Sequence, residues 1–164
     1  MSDKINLGCG TLLLDGYDNV DIKGGYSVIK RDLEKVPYDF PLNHYTRVVM
    51  KEVLEHLKNP VEVLREVRKI MIVDGLCSIT CPHFTSSNLY NDITHYKGYS
   101  WDALNYLRDE GFEIVSKEIS FGKRYQLWNY LIEVIANKFP KLYEDTPLRI
   151  FPALNMIYVL RKMP

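Results

Sequence analysis

The sequence predicts a single α/β domain over residues 1–164, built on a mostly parallel, twisted sheet with helices on both faces. Three observations predict it. Short β-like runs alternate with amphipathic stretches, the pattern of parallel strands joined by helical crossovers. Gly and Pro fall at the ends of those runs, where they stop them. With 164 residues and 46% hydrophobic content, the chain can bury one core but is too short for two.

Taken in order, Lys4 to Leu7 reads as the first strand, stopped by Gly8-Cys9-Gly10. Tyr17 to Ile22 reads as a second strand and Ser27 to Arg31 as a weak third. Tyr45 to Lys51 is apolar and β-branched enough for a central strand. Asn59 and Pro60 then open a helix as N-cap and first helical residue. Val61, Leu64, Val67, Ile70 and Met71 recur along it at helical spacing, and Asp74-Gly75 breaks it. Leu76 to Cys81 gives a buried strand ended by Pro82. Ser100 caps a helix through Arg108, closed by Gly111. Glu113 to Phe121 reads as a strand, Gln126 to Phe139 as a helix, and Leu154 to Leu160 as a final strand. On the last helix Leu127, Leu131, Val134 and Ile135 fit core packing first and a homodimer contact second.

Charge and cysteine content narrow the function. Lys+Arg and Asp+Glu both total 21, so there is no basic excess of the kind that bulk nucleic-acid binding draws on. A local basic patch, such as Lys117 to Arg124, is still compatible with the sequence. Cys9, Cys77 and Cys81 fit neither a zinc knuckle nor a disulfide framework, and reduced, buried thiols are expected. The first residues lack an apolar signal core, and no run suggests a membrane span, so a cytoplasmic protein is expected.

The glycine turn and two acids carry the functional argument. Gly8 and Gly10 close a strand, where glycine permits positive φ and lets a ligand lie against the backbone. A purely structural turn would look the same. Asp21 ends the second strand, where a carboxylate can accept hydrogen bonds from both ribose hydroxyls. Asp32 follows the third strand, placed to accept a hydrogen bond from an adenine amino group. Either acid alone reads as a solvated turn residue, but together at successive strand ends they point to a nucleoside. A hydride-transfer fingerprint is lacking, because it needs a third glycine opening a helix and an acid about 20 residues on.

Asn6-Leu7-Gly8-Cys9-Gly10, Asn19-Val20-Asp21, Asp32-Leu33 and Glu52-Val53-Leu54-Glu55-His56-Leu57 together resemble the class I S-adenosylmethionine-dependent methyltransferases. The likeness is greatest to the small type-11 group, some of whose members serve polysaccharide synthesis. Leu64-Arg65-Glu66-Val67 through Asp74-Gly75 to Ile79-Thr80-Cys81-Pro82 matches the helix and fifth strand of that group. Asp92-Ile93-Thr94-His95 with Tyr99-Ser100 resembles a family segment that usually has Pro at the position of Ile93. These motifs cover residues 4 to 112 in order; beyond them only the helix–strand pattern matches.

The resemblance implies a Rossmann-like methyltransferase fold with S-adenosylmethionine as cofactor. It implies that Gly8, Cys9 and Gly10 flank the methionine, that Asp21 holds the ribose, and that Asp32 with the Leu33 backbone reads adenine. Glu52 would line the cleft near the sulfonium. Two departures stand out: Thr11 to Val20 has room for at most a turn of helix, and, with the first strand so near residue 1, the N-terminal helix that often covers the cofactor is not expected. A partner subunit could supply that cover.

Methyl transfer mainly needs alignment of nucleophile, methyl and sulfur, and a hydroxyl nucleophile also benefits from a base. His83, His95 and Glu52 are the base candidates, with His83 and His95 near the fifth strand's end and in the segment 83–99 that should overhang the cleft as a substrate loop. Each histidine taken alone reads equally as a structural hydrogen-bonder, and His56 as one that orders its own turn. His83, Asp92 and His95 show no strong metal-ligand spacing, so no metal is expected. Tyr90, Tyr96, Tyr99 and Trp101 could stack on a sugar ring or a planar substrate, or pack half-buried. The expected acceptor is a glycan or small-molecule hydroxyl. Protein or RNA methylation, or a non-catalytic partner that keeps the fold, are the alternatives.

Overall fold

The computed structural model describes residues 2–122 and 127–164, the side chains of residues 127 and 128 excepted. The expected helix start at Gln126, the Leu127 side chain, and Lys123 and Arg124 of the basic patch lie outside the described residues. The strands are β1 (Lys4–Leu7), β2 (Asp18–Asp21), β3 (Val28–Lys30), β4 (Tyr45–Lys51), β5 (Met71–Pro82), β6 (Phe112–Ser120) and β7 (Asn155–Lys162). They form one sheet in the order β3-β2-β1-β4-β5-β7-β6. The first five strands pair in parallel, and β7 enters antiparallel between β5 and β6.

Register decides which side chains make the core. Ile5, Val48, Cys77 and Leu160 form one cross-strand row, and Leu7, Met50, Ile79 and Tyr158 the next. All eight are at most 1% exposed, each apolar burial contributing about 1.5–3 kcal/mol. Helix α1 (Pro60–Ile70) joins the same core through Val63, Leu64, Val67 and Ile70. Val63 rather than Val61 takes the inner position, and the Asn59 side chain makes no capping bond.

Helical cover is thinner than the sequence suggests. The segments 8–17, 22–27 and 31–44 cross between parallel strands on turns alone. With the first crossover helix reduced to nothing, the sheet face opposite α1 stays open along β4, β5 and β6. Arg47, Lys51, Ser78, Glu113 and Glu118 are exposed there, in place of a helical layer on both faces.

Two further elements differ from expectation. Helix α1 stops at Ile70, so Met71 begins β5, and Asp74 at φ +64° lies within that strand opposite a register shift in β4. Residues 100–108 form turns ending in a 3₁₀ turn at Asn105–Arg108. An α-helix would pair the Trp101 carbonyl with the Asn105 N–H. Here that carbonyl accepts from Lys117 Nζ at 2.9 Å, while the Asn105 N–H goes to Asp102 O at 3.0 Å.

Helix α2 (Leu127–Lys138) lies along the sheet edge. Asn137 Oδ1 accepts from Ile119 N, and its Nδ2 donates to Ile119 O, each at 2.8 Å, so one amide covers an edge residue of β6. Among its described side chains Ile132 and Ala136 are buried, whereas Leu131 and Val134, expected in the core, are exposed. A short α3 (Pro140–Asp145) brings Tyr143 and Glu144 into the interior. The three cysteines are buried and free. Among the described residues, no helix is long and apolar enough to cross a membrane.

Candidate active site

A cavity of ≈ 650 Å³ opens where β1, β2 and β4 reach their carboxyl ends, and Gly8, Gly10, Asp21, Asp32, Leu33 and Glu52 all line it. The two glycines serve different needs. At Gly8, φ is +68° and a Cβ would stand 2.4 Å from Val53 Cγ2, so the turn closes only without a side chain. At Gly10, φ is +49° and a Cβ would meet nothing within 4 Å, because that position faces open space. Cys9 between them is 4% exposed, its amide bonded to Val20 O at 2.9 Å, and it does not line the cavity. Burial first, and Asp21 second, push its thiol up.

Asp21 is held from both sides. Its Oδ2 accepts from Gly10 N at 2.9 Å and its Oδ1 from Lys23 N at 3.0 Å. Each oxygen keeps further acceptor capacity, which suits a vicinal diol. Asp32 is fixed similarly, its Oδ1 accepting from Glu34 N at 3.0 Å. Ile22, Arg31 and Asp32 also line an adjoining hollow of ≈ 510 Å³.

Glu52 turns the chain out of β4 at φ +54°, a conformation that costs a non-glycine residue about 1–3 kcal/mol. Its amide is tied to Thr80 O at 2.8 Å, and its Oε1 is buried without a hydrogen-bond partner among the described residues. Burial pushes the Glu52 carboxyl up. Glu55, on the following 3₁₀ turn Leu54–His56, is 0% exposed, and neither of its carboxyl oxygens has a donor among the described residues. Burial, and then the neighbouring Glu52 charge, push the Glu55 carboxyl up to about 8.

The histidines separate. His83 is 0% exposed and stands outside the cavity lining, its Nδ1 2.8 Å from Thr85 Oγ1 and its Nε2 3.2 Å from Glu144 Oε1. His56 lines the cavity with Asp92 and Thr94, and His95 packs edge-to-face against it with ring centroids 4.5 Å apart. Of the three base candidates, Glu52 alone lines the cavity. The segment 83–99 is pinned to the site by Tyr96 N donating to Glu55 O at 2.7 Å. Tyr90, Ile93 and Tyr96 on it are exposed, whereas Tyr99 is buried, its hydroxyl donating to Leu54 O at 3.0 Å. Sequence reasoning missed Glu55: its place in an apolar turn beside His56 was the available signal, but burial without a partner is visible only in the fold.

A family model described as a methyltransferase domain, of type 11, matches residues 16–79. Among curated proteins, a V-type ATP synthase alpha chain of Treponema denticola is 26% identical over 138 residues, which is 82% of this chain and 22% of that protein. The chain therefore spans about a fifth of the length of the curated relative it matches. Among solved structures, an S-adenosylmethionine-dependent methyltransferase from Archaeoglobus fulgidus superposes with a TM-score of 0.66 at 22% identity, covering 97% of this chain and 85% of that one. One from Mesorhizobium loti gives a TM-score of 0.66 at 13% identity, covering 97% and 90%. These two likenesses carry the fold. The methyltransferase-domain model matches residues 16–79 of the 164, so over that stretch the chain is similar to the type-11 methyltransferases, and it shares the fold of the two solved enzymes.

Proposed function

We propose that the chain binds S-adenosylmethionine in the cavity at the strand ends and transfers its methyl group to a hydroxyl of a glycan or small molecule. The observation that carries this reading is the convergence of Gly10, the doubly held Asp21, Asp32 and Glu52 on one cavity. The lining also fits the ligand's charge. Asp21, Asp32, Glu34, Glu52 and Asp92 outnumber Lys23 and Arg31, which suits a cationic sulfonium.

When bound, S-adenosylmethionine supplies an electrophilic methyl for an in-line displacement. Asp21 would accept from the ribose hydroxyls, and Asp32 with the Leu33 backbone would hold the adenine edge. Gly10 leaves the space that the methionine portion needs. Glu52 would stand on the reacting side, with its partnerless oxygen available to the methionine ammonium or the acceptor. Exposed Tyr90 and Tyr96 on the segment 83–99 offer faces on which a sugar ring could stack, which supports the choice of acceptor.

Calorimetry with S-adenosylhomocysteine tests the cofactor reading. The Asp21→Ala variant should bind more weakly by about 1.5–3 kcal/mol, the worth of charge-assisted hydrogen bonds, which is on the order of 10- to 100-fold in Kd. Equal affinity in the variant removes Asp21 from the site, and no binding by the native chain sinks the reading itself.

A further inference from the structure

We propose that Glu55, His56 and His95 form a site for a divalent transition cation at the mouth of the cofactor cavity. One ligand atom from each of the three lies within 4.8 Å of the other two. The hydrogen bonds around them leave lone pairs, not protons, for a ligand. Thr94 Oγ1 donates to Asp92 Oδ1 at 2.7 Å, so it accepts from His56 Nδ1 at 2.9 Å. His95 Nδ1 is 3.2 Å from the Leu89 carbonyl, which can only accept. Both rings therefore carry their proton on Nδ1 and keep a lone pair on Nε2. Such outer hydrogen bonds orient metal-binding imidazoles and fix their tautomer.

Glu55 is the second, independent observation. Its carboxylate is fully buried, beside both rings, with no cation and no donor on either oxygen among the described residues. Among the described residues no cation faces that carboxyl, and a bound cation would hold it ionised. Two imidazoles and one carboxylate suit zinc, cobalt, iron(II) or manganese better than calcium or magnesium, and three protein ligands leave positions open. His56 lines the cavity, so an open position would face the acceptor. Coordination there would favour an oxygen acceptor and make its hydroxyl more acidic, so that its proton passes to solvent as the oxygen takes the methyl. That role rests on the proposed methyl transfer; the cation site itself does not.

Cobalt(II) is the probe, titrated into the chelator-treated full chain by calorimetry and visible absorption. One equivalent per chain is expected, with d–d bands of a nitrogen–oxygen site. His56→Ala, His95→Ala and Glu55→Gln should each weaken binding at least about tenfold, and Thr94→Val, which releases the His56 ring, by about tenfold. His44→Ala, the remaining histidine outside this cluster and the buried pair, should bind as the native chain does. The two histidine variants alter half-buried side chains, and circular dichroism checks that they fold. Absence of stoichiometric cobalt binding, or equal affinity in the folded His56→Ala and His95→Ala variants, overturns the proposal. S-adenosylhomocysteine affinity is measured separately on the metal-free chain, so failure of the cofactor reading and failure of the cation site give different results.

Discussion

Replacing Gly10 with valine is expected to abolish S-adenosylhomocysteine binding while leaving the fold in place. The backbone at Gly10 sits at φ +49°, and a Cβ there meets nothing within 4 Å, so the new isopropyl group projects into the cavity rather than into the protein. Two effects act together. The occupied volume is the space that a ligand against the glycine turn would use, and a β-branched residue at positive φ is strained by about 1–2 kcal/mol. A shift of Gly10 to relieve that strain would also pull its N–H from Asp21 Oδ2. Kd should rise at least about 100-fold, equivalent to about 2.7 kcal/mol. The melting temperature should fall by only a few degrees, because the turn is exposed. Gly10→Ala should give an intermediate loss. Gly8→Ala should differ in kind, because its Cβ collides with Val53 and the cost falls on folding. Native-like binding by Gly10→Val would mean that the turn is structural and the ligand lies elsewhere.

This contrast shows what the sequence can and cannot convey. Glycine at positions 8 and 10 signals unusual backbone, but only the surroundings say which one faces a protein wall and which a cavity. Asp21 and Asp32 were legible because strand ends can be read from hydrophobic runs, and the ends of parallel strands lie together. The parallel strands and α1 were legible for the same reason, whereas their order in the sheet came only with the structure. The helix expected over 100–108 was not refused by its own residues; the Lys117 ammonium from β6 takes the Trp101 carbonyl, a long-range contact that propensity does not contain. The turn at Asp74-Gly75 read as a helix stop because positive φ looks alike in a helix end and in an irregular strand. His83 and His95 looked equivalent beside one strand end, yet one is sealed in the core and the other packs on His56, which lines the cavity.

The sealed histidine leads to the second large effect: Glu144→Ala should destabilise the protein strongly. Glu144 Oε1 accepts from the Trp101 amide at 2.6 Å and faces His83 Nε2 at 3.2 Å, with Glu144 only 5% exposed. One oxygen therefore serves two groups in the interior. Alanine removes it and leaves both without a partner, at roughly 1–3 kcal/mol each, so about 2–6 kcal/mol in sum is expected. For a chain of this size that corresponds to a fall in melting temperature of about 10 °C. Gln keeps an oxygen acceptor in place, so Glu144→Gln should recover most of the loss. The consequence extends to the site, because His83 and Trp101 bracket the segment 83–99. His83 also meets Thr85 Oγ1 at 2.8 Å, and Thr85 accepts the Ala153 amide at 3.0 Å, which ties β5, α3 and the approach to β7 into one network. On the proposed function, in which the segment 83–99 positions the acceptor, a loosened network should raise KM for the acceptor more than it lowers kcat. Thermal melts of the two variants decide the stability part. A melting temperature unchanged in Glu144→Ala, with kcat lowered instead, would mean that the pair takes part in the chemistry and that His83 opens to the cavity during turnover.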